Sequence, residues 1–174
     1  MQDTFGTLIN RGNYITAVME RVTEASPEEV WEMLGKEANR VQWLAPGTIE
    51  LKPGGRAKLD FKDSHVIVDS EVTACSAPAE LAFSWSSPED PERPVHFQIT
   101  PQDNGSQVRL TVSIPRDEVV SRSCAGWEAH LTMLQTALAG VPTKFPLQRF
   151  QACRQDFDRQ LVAIAMVEMP LVQL

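Results

Sequence analysis

The stretch Ser123-Cys124-Ala125-Gly126-Trp127-Glu128-Ala129-His130-Leu131-Thr132-Met133-Leu134-Gln135-Thr136-Ala137-Leu138-Ala139 sets Trp127, Leu131, Leu134 and Leu138 at helical spacing. One face of a long helix is therefore buried. Gly140 stands where a left-handed C-terminal cap is expected, and Pro142 blocks continuation. A helix with such a stripe needs an apolar partner surface, and the residues before it supply one.

Those residues read as an antiparallel meander. Ala57, Leu59 and Phe61 alternate along 56–62, followed by a strand over 65–76. Leu81, Phe83 and Trp85 line one face of the next strand; Val95, Phe97 and Ile99 line another. Asn104-Gly105 signals a type I′ hairpin, beyond which Val108, Leu110, Val112 and Ile114 continue the sheet. Short turns cannot join parallel strands, so the sheet is antiparallel. Upstream, 13–24 reads as a strand and 1–12 as a loose lead-in. Ser26-Pro27-Glu28-Glu29 opens a helix with a capping box, which stops near Gly35; a short helical piece over 36–41 follows. Downstream, Leu147, Phe150, Phe157, Leu161 and Ile164 form the stripe of a second amphipathic helix over 146–166, ending in the apolar run 166–172. The expectation is an α+β domain over 13–140. A curved antiparallel sheet of about six to seven strands wraps the long helix, and a helical extension over 141–174 packs on the domain or a partner.

Composition narrows the function classes. The 174 residues suit one domain and bury enough surface to dispense with disulfides or metals. A net charge of −7 without a basic cluster argues against nucleic acid. No apolar stretch is long enough to span a bilayer, and the first residues have neither the basic nor the apolar region expected of a signal peptide. The three separated cysteines fit reduced thiols, so the cytoplasm is the expected location.

Several residues resemble a known family: Arg21, then Ala25-Ser26-Pro27-Glu28-Glu29-Val30-Trp31, Gln42-Trp43-Leu44-Ala45-Pro46-Gly47 and Pro53-Gly54-Gly55-Arg56. Ser76-Ala77-Pro78-Ala79-Glu80-Leu81-Ala82-Phe83-Ser84-Trp85 and Gly126-Trp127 complete the ordered set. Together they resemble the heat-shock-protein-90 ATPase activator homologue (C-terminal-like) family of the START/polyketide-cyclase/birch-pollen-allergen superfamily. The resemblance implies a helix-grip fold with a cavity between sheet and long helix, and often a dimer. It does not imply one activity, because superfamily members bind lipids, sterols, hormones or polyketides and a minority are enzymes.

The expected cavity wall is Leu59, Phe61, Phe83, Trp85, Phe97, Ile99 and Leu110 facing Trp127, His130, Leu131 and Leu134. His130, three residues after Trp127, either faces the cavity as a hydrogen-bonding or acid/base group or is a helix-flank histidine bonded to a neighbour. His65 and His96 read as structural or exposed, and no histidine has metal-ligand spacing. Cys124, near the helix start, lacks a basic partner and reads as an inert thiol. Asp60, Asp69 and Glu71 read as cross-strand pairing groups, with Asp60 beside Lys58 and Lys62, unless one reaches the cavity as a raised-pKa acid. No catalytic residue, metal or cofactor is assigned. The leading expectation is non-enzymatic binding of a small hydrophobic molecule. The alternatives are a cyclase- or aromatase-like enzyme and a protein-interaction module.

Overall fold

The computed structural model describes residues 4–170. The chain enters the sheet earlier than the lead-in expected over 1–12. Thr7–Arg11 is a strand, β1, paired antiparallel with β2, Tyr14–Thr23. Gly12, at φ 75°, makes the turn between them. The segment is ordered because its backbone has partners inside the fold. The Gly6 N–H donates to Glu128 Oε1 at 2.7 Å and the Leu8 N–H to Gln160 Oε1 at 2.8 Å. Residues 1–3 of that expectation lie outside the described residues.

Helix α1, Pro27–Gly35, begins as expected. The Glu29 N–H donates to Ser26 Oγ at 3.2 Å, and the Ser26 N–H donates back to Glu29 Oε2 at 2.7 Å. A second short helix, α2 (Glu37–Arg40), follows. Its last residue, Arg40, is buried and donates to the carbonyls of Leu34, Gly35, Ala45 and Gly47. One guanidinium thus satisfies the end of α1 and the loop into β3, Gly47–Ile49.

The strand expected over 65–76 is two strands in two sheets. β4, Arg56–Phe61, pairs with β3 on one side and with β5, Val66–Glu71, on the other, making a three-stranded sheet. β6, Ala74–Ser76, instead pairs with β7, Glu80–Ser84. The reason lies in two consecutive residues. The Val72 N–H donates to Gly55 O and the Thr73 N–H to Ala82 O, so the chain changes sheets between them. Val72 is fully buried at the junction.

β8, Pro94–Gln102, and β9, Gly105–Pro115, complete a six-stranded antiparallel sheet in the order β1-β2-β9-β8-β7-β6. Their hairpin corrects the expected type I′ turn. Gln102 pairs with Gly105, so Asp103 and Asn104 form the loop, and neither has positive φ. Gly105 does, at 146°, and a Cβ there would lie 1.9 Å from Thr23 O. Glycine is required by the close approach of β2, not by the turn type.

The long helix α3, Val120–Leu138, lies across the large sheet. Leu131 and Leu134 are fully buried, each contributing about 1.5–3 kcal/mol of apolar transfer. Gly140 takes φ 80° at the end, as its position predicts. The architecture is a helix-grip fold. Helix α4, Leu147–Glu168, packs on α3 and β1 through the buried Cys153 and Phe157. Its far end leaves Val162, Met166 and Val167 exposed. Leu171 and Val172 of the apolar run lie outside the described residues.

Three elements meet at one buried charge. Glu128 on α3 is fully buried, ion-paired with Arg21 of β2 and 3.5 Å from Arg149 of α4. It also accepts the Gly6 N–H. A carboxylate can be buried at this depth only with such partners. The cluster ties β2, α3, α4 and the start of the chain together.

Candidate functional site

A cleft of about 870 Å³ opens beside the first half of α3. The helix supplies its floor, because Arg122, Ser123, Gly126, Trp127 and His130 fall on one face at helical spacing. Phe61 and the segment 64–67 form one wall. The β7–β8 loop, with Trp85, Ser87, Asp90 and Arg93, forms a second. The end of β9 adds Ile114, the chain between β9 and α3 adds Glu118, and Phe145 and Phe150 close the side toward α4.

The apolar part is a continuous aromatic surface. Trp85 and Trp127 meet edge to face with centroids 4.9 Å apart, and Phe61 lies 6.5 Å from Trp85. His130 is ringed by Phe61 at 5.4 Å, Phe145 at 5.7 Å and Trp127 at 6.3 Å. Phe150 extends the row from Phe145. Such edge-to-face pairs fix ring orientation beyond simple burial.

His130 is the polar group set among these rings. Its Nδ1 lies 2.7 Å from the backbone oxygen of Trp43. A carbonyl only accepts, so Nδ1 carries the proton. Burial pushes the imidazole below its usual pKa, against the opposing pull of that hydrogen bond. The neutral ring therefore holds Nε2 as an acceptor in a residue that lines the cleft. One ring nitrogen is thus bonded to a neighbour, and the residue also lines the cleft.

The charges near the mouth are unequally committed. Arg93 makes a bidentate pair with Glu118 at 2.8–3.0 Å and sits 3.8 Å from Asp90. The Glu118 partnership holds the Arg93 guanidinium above its ordinary pKa. Asp90 is held below the usual carboxylate range by hydrogen bonds from the backbone and hydroxyl of Ser87. Arg122 is exposed and makes no ion pair or hydrogen bond among the described residues.

Of the expected wall residues, Phe61, Trp85, Trp127 and His130 line the cleft. Leu59, Phe83, Phe97, Ile99, Leu110, Leu131 and Leu134 do not. They are buried in the packed interior, where sheet and helix side chains fill the space expected to be hollow. The cavity lies toward one end of the grip rather than along it. The loop residues of its walls, together with Phe145 and Phe150, are wall residues that no periodic pattern in the sequence marks as such.

The other candidates fall outside the site or at its rim. His96 Nε2 lies 2.8 Å from Glu80 Oε1 on the outer face. His65, at φ 57°, is exposed on the cleft's rim. Asp69 pairs with Arg56, whose hydrogen bond holds its carboxyl low; Asp60 is exposed and makes no ion pair with Lys58 or Lys62 among the described residues. Neither they nor Glu71 line the cleft. Burial, reinforced by Glu128, pushes the Cys124 thiol up to about 12, which leaves it protonated and unreactive. No cluster of metal-ligating side chains occurs among the described residues, and no helix there is long and apolar enough to cross a membrane.

Comparison with known proteins agrees with this architecture. Residues 24–139 match the model of the family described as Activator of Hsp90 ATPase homolog 1-like protein. The chain belongs to that family, whose fold is of the ligand-binding START type. No curated protein matches the chain. Among solved structures, CalU16 from Micromonospora echinospora superposes with a TM-score of 0.75 at 17% identity, over 93% of this chain and 97% of that one. The protein encoded by BPP1335 of Bordetella parapertussis gives 0.64 at 25% identity, over 86% of each chain. DynU16, a protein in the dynemicin biosynthetic locus, gives 0.65 at 23% identity, over 76% of this chain and 49% of that one.

Proposed function

We propose that this protein binds a small hydrophobic molecule in the cleft beside α3 and holds it without transforming it. The observation that carries the reading is the cleft itself. Its volume of about 870 Å³ falls in the range of small-molecule sites, and its lining joins an aromatic surface to a rim of polar and charged side chains. Apolar burial against Trp85, Trp127 and Phe61 supplies affinity, and His130 Nε2 fixes orientation by accepting a hydrogen bond from the ligand.

The chemistry of the site favours holding over turnover. Glu118 is committed to Arg93, and Asp90 is fixed by Ser87. Neither carboxylate is left free to meet a ligand. The neutral His130 supports a second reading, a cyclase- or aromatase-like enzyme using Nε2 as base. That DynU16 comes from a biosynthetic locus favours a small molecule over a protein as the occupant of this fold.

Native mass spectrometry of the full chain purified from its own host tests the proposal. A bound mass of a few hundred daltons, absent from a Gly126→Leu variant that blocks the cleft, is expected. Ligand-free protein that also fails to bind 8-anilino-1-naphthalenesulfonate would overturn the proposal. Recovery of the ligand chemically altered after incubation would move the assignment to the enzyme reading.

A further inference from the structure

The floor of the cleft contains a position that helix energetics alone do not explain. Gly126 sits inside α3, where glycine costs about 1 kcal/mol relative to alanine. It does not relieve a clash, because a Cβ built there meets nothing within 4 Å. Nor does its φ require glycine, since it is not among the positive-φ residues. What it does is leave the helix backbone bare at the centre of the cleft floor.

Arg122 and His130 flank that bare patch, four residues to either side and on the same face. At 1.5 Å per residue their Cα atoms stand about 12 Å apart along the axis. One end offers a half-buried neutral acceptor, Nε2. The other offers a guanidinium with no ion-pair partner among the described residues. Arg93, the other arginine of the cleft, is held by Glu118.

From this we infer that the ligand is a flat, rod-like hydrophobic acid. Its ring system lies on the Gly126 backbone between Trp127 and the Phe61 wall. A hydroxyl at one end donates to His130 Nε2, and a carboxylate at the other pairs with Arg122. The spacing selects length, the bare glycine selects flatness, and the two polar ends select orientation. This inference rests on the cleft being a ligand site.

Isothermal titration of the full chain with 4′-hydroxybiphenyl-4-carboxylic acid, its methyl ester and 4′-methoxybiphenyl-4-carboxylic acid tests it. The acid should bind roughly tenfold more tightly than the ester, since a charge-assisted contact is lost. Arg122→Gln, at an exposed position, should bring the affinities of acid and ester together. The methoxy acid should bind about three- to tenfold more weakly than the hydroxy acid. Gly126→Ala should weaken all three probes together. If ester and acid bind alike, or if Arg122→Gln leaves the preference intact, the polarity assignment is overturned and the cleft remains a hydrophobic site. If none of the probes binds and 8-anilino-1-naphthalenesulfonate also fails, the cleft is not a ligand site and both proposals fall.

Discussion

Replacing Gly126 with alanine should make the protein more stable and a poorer binder at once. The stability gain follows from the helix interior, where alanine is favoured over glycine by about 1 kcal/mol. Nothing offsets it, because the added methyl meets open space. For a domain of this size 1 kcal/mol moves the melting temperature by roughly 2–4 °C, so Gly126→Ala should melt about 2–4 °C higher than the natural protein. The methyl also lifts any flat ligand off the helix backbone, forfeiting dispersion contacts along its whole ring face. Scanning calorimetry measures the first effect and titration with 8-anilino-1-naphthalenesulfonate the second. A melting temperature that falls would show that Gly126 is packed against something, and the description of the cleft floor would be wrong. A rise in stability with unchanged binding would show that ligands do not rest on this patch. Gly126→Leu extends the series: it should still fold, with probe binding lost.

Other consequences follow from the buried groups. Glu128→Gln leaves Arg21 buried without its charge partner and should cost about 3–5 kcal/mol, read as a lowered urea midpoint; a loss below about 1 kcal/mol would show that the cluster is hydrated. Because burial lowers the folded-state pKa of His130 below its unfolded value near 6.5, the unfolded chain binds the proton more readily. Its contribution to stability should be complete above that value and lost as the pH falls through the lowered folded pKa. A histidine-to-phenylalanine control at position 130 should flatten that limb of the pH–stability curve. Disulfide-exchange labelling of the native protein at pH 8 should modify Cys75 first, since Cys124 and Cys153 are fully buried and their thiols are pushed further up by Glu128; equal rates at the three sites would indicate local opening of α3 and α4.

The sequence and structure agree where local chemistry is decisive and part where it is not. The Ser26–Glu29 box and the Gly140 cap depend on neighbours within a few residues, and both are present. Alternation correctly placed Leu59, Phe83, Phe97 and Leu110 on the inner face. A period of two says which way a side chain points, not whether the space beyond it is filled. For that reason the expected hollow is solid at those residues, while the cleft lies where loops converge. Ser87 to Arg93 and Phe145 reach it through connections whose paths no periodicity encodes. The sheet change at Val72–Thr73 was equally hidden, because the apolar pattern continues through it while the hydrogen-bond partners change. The edge strand β1 has only five residues and no clear alternation, so Gly12 before β2 is the one local sign of it.

The indole signals of the four tryptophans offer the most direct measurement of whether the cleft binds ligand. Trp85 and Trp127 line the cleft, whereas the Trp43 indole N–H is buried and donates to Met33 O at 2.8 Å, and Trp31 lies on α1. In a nitrogen–proton correlation spectrum titrated with 4′-hydroxybiphenyl-4-carboxylic acid, the Trp85 and Trp127 indole peaks should move together, with the Gly126 amide, along one saturating curve. The Trp31 peak should stay in place. An unchanged spectrum, or shifts at Trp31 with Trp85 and Trp127 still, would contradict a ligand site beside α3.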